Sequence, residues 1–303
     1  MLNPLKNTPL TLENLLTVGP YKETVLTNLY FYIMSKSENL GWFAALPPFM
    51  IFGILTFVCL KFIKEYKVSF RSISLFLVSI ISVSSLLGIL TGIRQNSAWA
   101  VLMLAFYYDF FSKDKKKVNS ILLYLTSILI HSSAIGIVSL RILLIIIKKF
   151  PWAKYLLLLW PLSLVSLTIF ESFLPSILQN AAQTLEYHYS RDYIVTAKFL
   201  VGGLAYVLIL FLILKLKNKV GTEELFPREY YEFFLLLNLF GISSYMVPTL
   251  FERTIEFVMY MSLPFIHVLL RSKFVFRRTI ILILVVMFMA LFYWQDLMLG
   301  YFF

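Results

Sequence analysis

Seven polar side chains in an otherwise apolar chain set the chemical question: Arg94, His131, Glu171, His188, Arg191, Arg253 and Glu256. A guanidinium stays charged and its planar fork matches phosphate oxygens bidentately. An imidazole can take up or hand on a proton near neutral pH. Together these groups suit an anionic ligand, a phosphate, a pyrophosphate or an anionic lipid, with a proton moved beside it. Two of them bracket the stretch around which the chain is organised, Arg94 in TGIRQNSAW and His131 in ILIHSSAIG. A charge at the bilayer centre costs about 2.5–3.5 kcal/mol, so each needs a partner, water or a task. Duller roles are open as well. Arg94 and Arg253 can snorkel to headgroups. His131, beside two serines, can cap a broken helix. His188, flanked by Tyr187 and Tyr189, suits interface packing, and His267 lies well inside an apolar run.

Composition decides what surrounds these residues. With 60% hydrophobic and only 14% charged residues and a mean hydropathy of +0.82, the chain reads as an all-α polytopic membrane protein. Its apolar runs are near twenty residues, the length a helix needs to cross about 30 Å of hydrocarbon; a barrel would show alternating ten-residue segments. The net charge of +11 would suggest nucleic acid in a soluble protein, but the lysines and arginines sit in loops of one side, so no nucleic-acid partner is expected. Cys59 is the only cysteine and lies in an apolar run, which excludes disulfides and thiolate metal sites. The three histidines are scattered without carboxylates at ligand spacing, and no nucleotide-phosphate loop, GxGxxG turn or HExxH helix occurs. No metal or other cofactor is predicted.

Residues 1–40 hold no run long enough to span and are expected to form an outer-face arm. Within it Thr24 to Met34 reads as a loosely packed cover or, with Leu26, Leu29, Tyr30 and Ile33 at helical spacing, as a helix in the membrane interface. Residues 41–303 are expected to form one transmembrane domain. The first span, Gly41 to Leu60, carries Pro47-Pro48 near its start and runs into Lys61, Lys64, Lys67 and Arg71, a cytoplasmic signal. Ser72 to Leu90 returns outward, Thr91 to Asn96 forms an outer turn, and Ser97 to Phe111 comes in to Lys113 and Lys115 to Lys117. Val118 to Ile147 is too long for one crossing, since thirty helical residues measure about 45 Å. It also ends at Lys148, Lys149 and Lys154, a second inner signal. We therefore read a hairpin of short helices, Val118 to Ile130 and Ala134 to Ile147, broken at His131-Ser132-Ser133. Broken helices are tolerated at membrane depth where they line a polar cavity. Arg141 is expected to pair within the bundle. Further spans follow at Tyr155 to Phe173, Phe199 to Leu214, Tyr231 to Val247, Ile255 to Leu270 and Thr279 to Met298, with an outer loop at Leu174 to Thr196 and an outer turn at Pro248 to Thr254. This makes about eight full spans plus the hairpin. It puts nineteen of the 27 Lys and Arg inside, seven outside and Arg141 within a helix. The polar side chains of the first paragraph then fall at or near the outer ends of their spans.

The segments GIRQNSAWAVLMLAFYY, ILLYLTSILIHSSAIG and ERTIEFVMYMSLPF, in this order and separation, resemble the EpsG-like branch of the Wzy-type polysaccharide polymerases. Arg94-Gln95, His131 with Ser133, and Arg253 with Tyr260 and Leu263-Pro264 stand at the family's motif positions. Thr91-Gly92-Ile93 replaces the Asn that the family places just before the Arg. The resemblance implies an inner-membrane enzyme, its site facing the periplasm, that joins undecaprenyl-pyrophosphate-linked oligosaccharide repeats into O-antigen or capsular chains. It implies His131, Arg94 and Arg253 as catalytic residues. Gln95, Ser133, Arg191, Glu252, Glu256 and Tyr187 would contact substrate. Membrane lipids and a chain-length regulator protein are the implied partners. Three other classes fit some of the same features: a flippase, which needs polar groups through the membrane depth, an acyltransferase using His131, and a ligase with the same donor chemistry.

The topology is directly testable. With Cys59 replaced by Ser, an impermeant thiol reagent applied from outside is expected to label a cysteine at position 133 and not one at position 149. The reverse pattern removes the hairpin and every later assignment.

Overall fold

The computed structural model describes residues 6–18, 24–37, 41–66, 93–112, 117–155, 197–216, 227–244, 248–271 and 279–287. The predicted spans at Ser72 to Leu90 and Tyr155 to Phe173 and the outer loop at Leu174 to Thr196 lie outside them, apart from Tyr155. The regular elements among the described residues are all helices, without a strand. They fall into two compact units, one running up to Val138 and one starting at Ser139.

The first unit begins with two short helices of the arm, α1 (Leu12–Thr17) and α2 (Val25–Ser35). Thr11 caps α1 by accepting a hydrogen bond from the Asn14 amide at 3.1 Å. In α2 the residues turned inward are Thr27, Asn28, Met34 and Ser35, whereas Leu26, Leu29 and Tyr30 are half-buried and Ile33 is exposed. The predicted apolar stripe is thus partly covered by the protein, with Ile33 as its exposed member.

Helix α3 (Gly41–Tyr66) contains, at Ala45–Glu65, the one stretch among the described residues that is long and apolar enough to cross a membrane. It is helical through Pro47 and Pro48 and past the predicted end at Leu60. Lysines tolerate that extension because their stems lie along apolar surface; Lys61 sits 5.6 Å from the Phe57 ring centroid. Helix α4 (Ile93–Phe106) passes into a π-helical turn, Tyr107–Phe111. Arg94 to Asn96 are therefore helical and not an outer turn. Helix α5 (Lys117–Ile130) packs along α4, and the short connection between them makes the two antiparallel. Helix α6 (Ala134–Lys149) follows, so the chain breaks at His131-Ser132-Ser133 as its length required.

The second unit holds the rest of α6, a 3-10 turn at Pro151–Tyr155, and helices α7 (Ala197–Leu216), α8 (Arg228–Ser243) and α9 (Pro248–Arg271). Helix α9 takes up the predicted outer turn at Pro248 to Thr254, with proline at its first position, where the missing N–H leaves no intrahelical bond unmade. Residues 279–287 are helical within the last predicted span. Helix α8 packs on both α7 and α9 through Tyr230, Phe233, Phe234 and Leu237, all fully buried. Two tyrosine hydroxyls find backbone partners in this core: Tyr231 donates to the Ile213 carbonyl at 3.1 Å and Tyr230 to that of Met261.

Arg141 pairs as expected, its Nη2 3.1 Å from Glu229 Oε2. Lys148 lies 3.3 Å from Glu229 and 3.1 Å from Glu232, which also holds Arg228 at 2.8 Å. Burial alone would raise the Glu229 carboxyl, but Lys148 and Arg141 together hold it below the usual range. The basic end of α6 and the acidic start of α8 are thus joined by ion pairs.

Close packing in this unit depends on Gly241. A Cβ there would stand well inside contact distance of the Tyr206 ring and hydroxyl, and Tyr206 is itself fully buried against Phe251 at 5.3 Å between rings. Gly203, on α7, has nothing within 4 Å of such a Cβ. Gly241→Ala is expected to destabilise the protein by about 1–3 kcal/mol through overpacking. Gly203→Ala is expected to be neutral or slightly stabilising. Thermal unfolding in detergent, read by loss of the monodisperse peak, compares them.

Candidate functional site

The break between α5 and α6 is built from hydrogen bonds that replace the missing helical ones. The His131 amide still donates to the Ser127 carbonyl at 3.0 Å, the last bond of α5. Beyond it the amides of Ala134, Ile135 and Gly136 donate three residues back, to His131, Ser132 and Ser133, at 2.9–3.2 Å. The Ile130 carbonyl, left without a partner from its own helix, accepts the Thr27 hydroxyl of α2 at 2.8 Å. The arm thereby docks at the end of the unit that carries the break.

The same turn orients the imidazole. The Ser133 amide lies 3.1 Å from His131 Nδ1 and the Ser133 hydroxyl 2.7 Å from it. A backbone N–H can only donate, so Nδ1 is the accepting nitrogen and the neutral ring carries its proton on Nε2. His131 is buried, at 8% exposure, while Ser132 and Ser133 are half-buried. The ring is therefore both a cap of the broken helix and a directed N–H donor.

Because α4 and α5 run antiparallel, the first turn of α4 lies at the same end of the unit as the break. Arg94 and Gln95, both half-buried, occupy that turn, and Asn96 and Ser97 below them are buried. The structure thus gathers Arg94, Gln95, His131 and Ser133 at one end of the first unit, with Thr27 and the arm. In the second unit Arg253 and Glu256 stand one turn apart on α9, both half-buried, next to the buried Thr254 and Ile255. Glu252 belongs to the same helix. Tyr187, His188, Arg191 and Glu171 lie outside the described residues.

Two features escaped the reading of the sequence. Thr27 is one, because nothing in a local pattern announces a contact 103 residues away. The other is at the opposite end of the first unit, where Tyr124 of α5 donates to Asp109 at 2.7 Å and Tyr107 to Glu65. These bonds tie α3, the π-helical turn and α5 together. The Tyr-Tyr-Asp-Phe-Phe run held a signal, an acid amid aromatics before a lysine loop.

The described residues, all of whose regular elements are helices, and the apolar helix Ala45–Glu65 suit a helical membrane protein. Comparison adds the family: the EpsG family profile matches residues 24–302, so the chain belongs to the EpsG family, Wzy-like polymerases and glycosyltransferases of polysaccharide biosynthesis. No curated protein and no solved structure matches it.

The tautomer can be observed. In protein labelled with 15N-histidine, with His131→Ala for assignment, the His131 ring is expected to show a protonated Nε2 and an unprotonated, hydrogen-bonded Nδ1. A proton on Nδ1 contradicts the geometry.

Proposed function

We propose that this protein is a membrane glycosyltransferase that polymerises undecaprenyl-pyrophosphate-linked oligosaccharide repeats into O-antigen or capsular polysaccharide at the outer leaflet of the inner membrane. Membership of the EpsG family is the observation that carries this reading. In the reaction an acceptor sugar hydroxyl attacks the anomeric carbon of the donor glycan. The new C–O bond forms as the bond to pyrophosphate breaks, undecaprenyl pyrophosphate leaves, and the hydroxyl proton passes to a base. Since the lipid already holds the activated sugar, no nucleotide site is required.

Negative charge grows on the leaving pyrophosphate, and preoriented cations aimed at it supply the largest electrostatic contribution in such sites. Arg94 and Arg253 are each assigned that role, with Glu256 orienting Arg253 from one turn away. Gln95, Ser133, Arg191, Glu252 and Tyr187 are assigned to substrate binding. Of the two roles open to His131, base and acceptor positioning, the second agrees with its hydrogen bonds. Protonating Nδ1 would set one N–H against the Ser133 amide, whereas an accepting Nδ1 puts the ring proton on Nε2, as donation to a substrate oxygen requires. The base is then sought among the carboxylates, Glu252 and Glu256 first. A chain-length regulator protein and membrane lipids remain the proposed partners.

Single-turnover polymerisation in detergent with lipid-linked repeats tests the arginines. Arg94→Lys and Arg253→Lys are each expected to lose roughly 10²- to 10³-fold in rate, nearly as much as the alanine variants, because lysine keeps the charge and loses the fork. Full-length polymer from both lysine variants returns them to a structural role. A deletion strain separates the related activities: single-repeat caps mark a lost polymerase, no displayed glycan a lost flippase, and polymer held on the lipid carrier a lost ligase.

A further inference from the structure

We infer that Thr27 is a positioning residue of this reaction, holding His131 in place through the carbonyl of Ile130. The inference rests on the glycosyltransferase reading for its consequence and on the hydrogen bonds of the break for its cause. The peptide that joins Ile130 to His131 is a rigid plane. Its N–H is held by the Ser127 carbonyl at 3.0 Å and its C=O by the Thr27 hydroxyl at 2.8 Å. Beyond that plane the ring is held at Nδ1 by Ser133 at 2.7 and 3.1 Å. These anchors bear on the direction of Nε2–H, and the one from Thr27 comes from a distant part of the chain.

Thr27 can serve as an anchor because its own helix is fixed. Asn28, fully buried beside it, donates to the Leu15 carbonyl at 2.7 Å, and Tyr32 donates to that of Thr8 at 3.1 Å. Both bonds tie α2 to the preceding part of the arm. The polar residues of α2 are thereby used to fix the helix on the protein, and Thr27 is held where its hydroxyl meets the turn that carries His131.

The test compares Thr27→Val, which keeps shape and loses the donor, with Thr27→Ser, which keeps the donor. In single-turnover polymerisation with full-length protein and lipid-linked repeats, Thr27→Val is expected to lower kcat roughly 10- to 100-fold with KM unchanged. Thr27→Ser is expected to match wild type. In 15N-histidine spectra, Thr27→Val should shift or split the His131 ring signals and leave those of His188 and His267 in place. Wild-type kcat and an unmoved His131 signal in Thr27→Val overturn the inference, as does Thr27→Ser failing as badly as Thr27→Val. If Thr27→Val does not fold, Thr27→Ala replaces it, and equal behaviour of the alanine and serine variants is the overturning result. A wild-type protein that makes no polymer removes the glycosyltransferase reading instead, and the His131 spectra still decide whether Thr27 holds the ring.

Discussion

A helix broken inside a packed unit leaves backbone groups without their helical partners, and the requirement to satisfy them governs this structure. Each buried polar group left unpaired costs about 1–3 kcal/mol. At His131-Ser132-Ser133 the chain meets that requirement with 3-residue turns, a histidine nitrogen that accepts a backbone amide, and a threonine from a distant helix. The break is therefore a defined conformation with a fixed ring direction, which a functional imidazole needs.

The same requirement organises each unit separately. In the second, two tyrosine hydroxyls donate to carbonyls of neighbouring helices and Arg141 is neutralised by Glu229. Not every polar atom there is satisfied: Tyr206 Oη and Asn238 Oδ1 of this unit are among the buried atoms without a hydrogen-bond partner. Tyr206 sits where Gly241 leaves room, so helix approach has set its position there at the expense of its hydroxyl. In the first unit Asp109 and Glu65 receive tyrosine hydroxyls where three elements meet.

For function, the direction of the hydrogen bonds matters more than the identity of the residue. A histidine in a family of glycosyltransferases invites the role of general base. An amide aimed at Nδ1 argues otherwise, because it holds the lone pair and leaves the ring as a donor. Under the proposed function the proton of the acceptor would pass to a carboxylate, with the histidine setting the geometry of the attack.

The sequence by itself determined the class, the helical content and the location of the break, and the physical reasons are one-dimensional. Hydropathy needs no partner to be read, and thirty apolar residues between two lysine loops cannot cross the bilayer once. Helix ends were less legible: Arg94 and Arg253 lie within helices and not in turns, because helix propagates through neighbouring residues that a composition boundary treats as loop. The motifs around Arg94, His131 and Arg253 carried the family through local identity alone. Only the tertiary structure decided the tautomer of His131, the pairing of Arg141 with Glu229 and the reach of Thr27 to Ile130. Each is a contact between residues distant in sequence or a direction in space, and neither leaves a trace in spacing or composition.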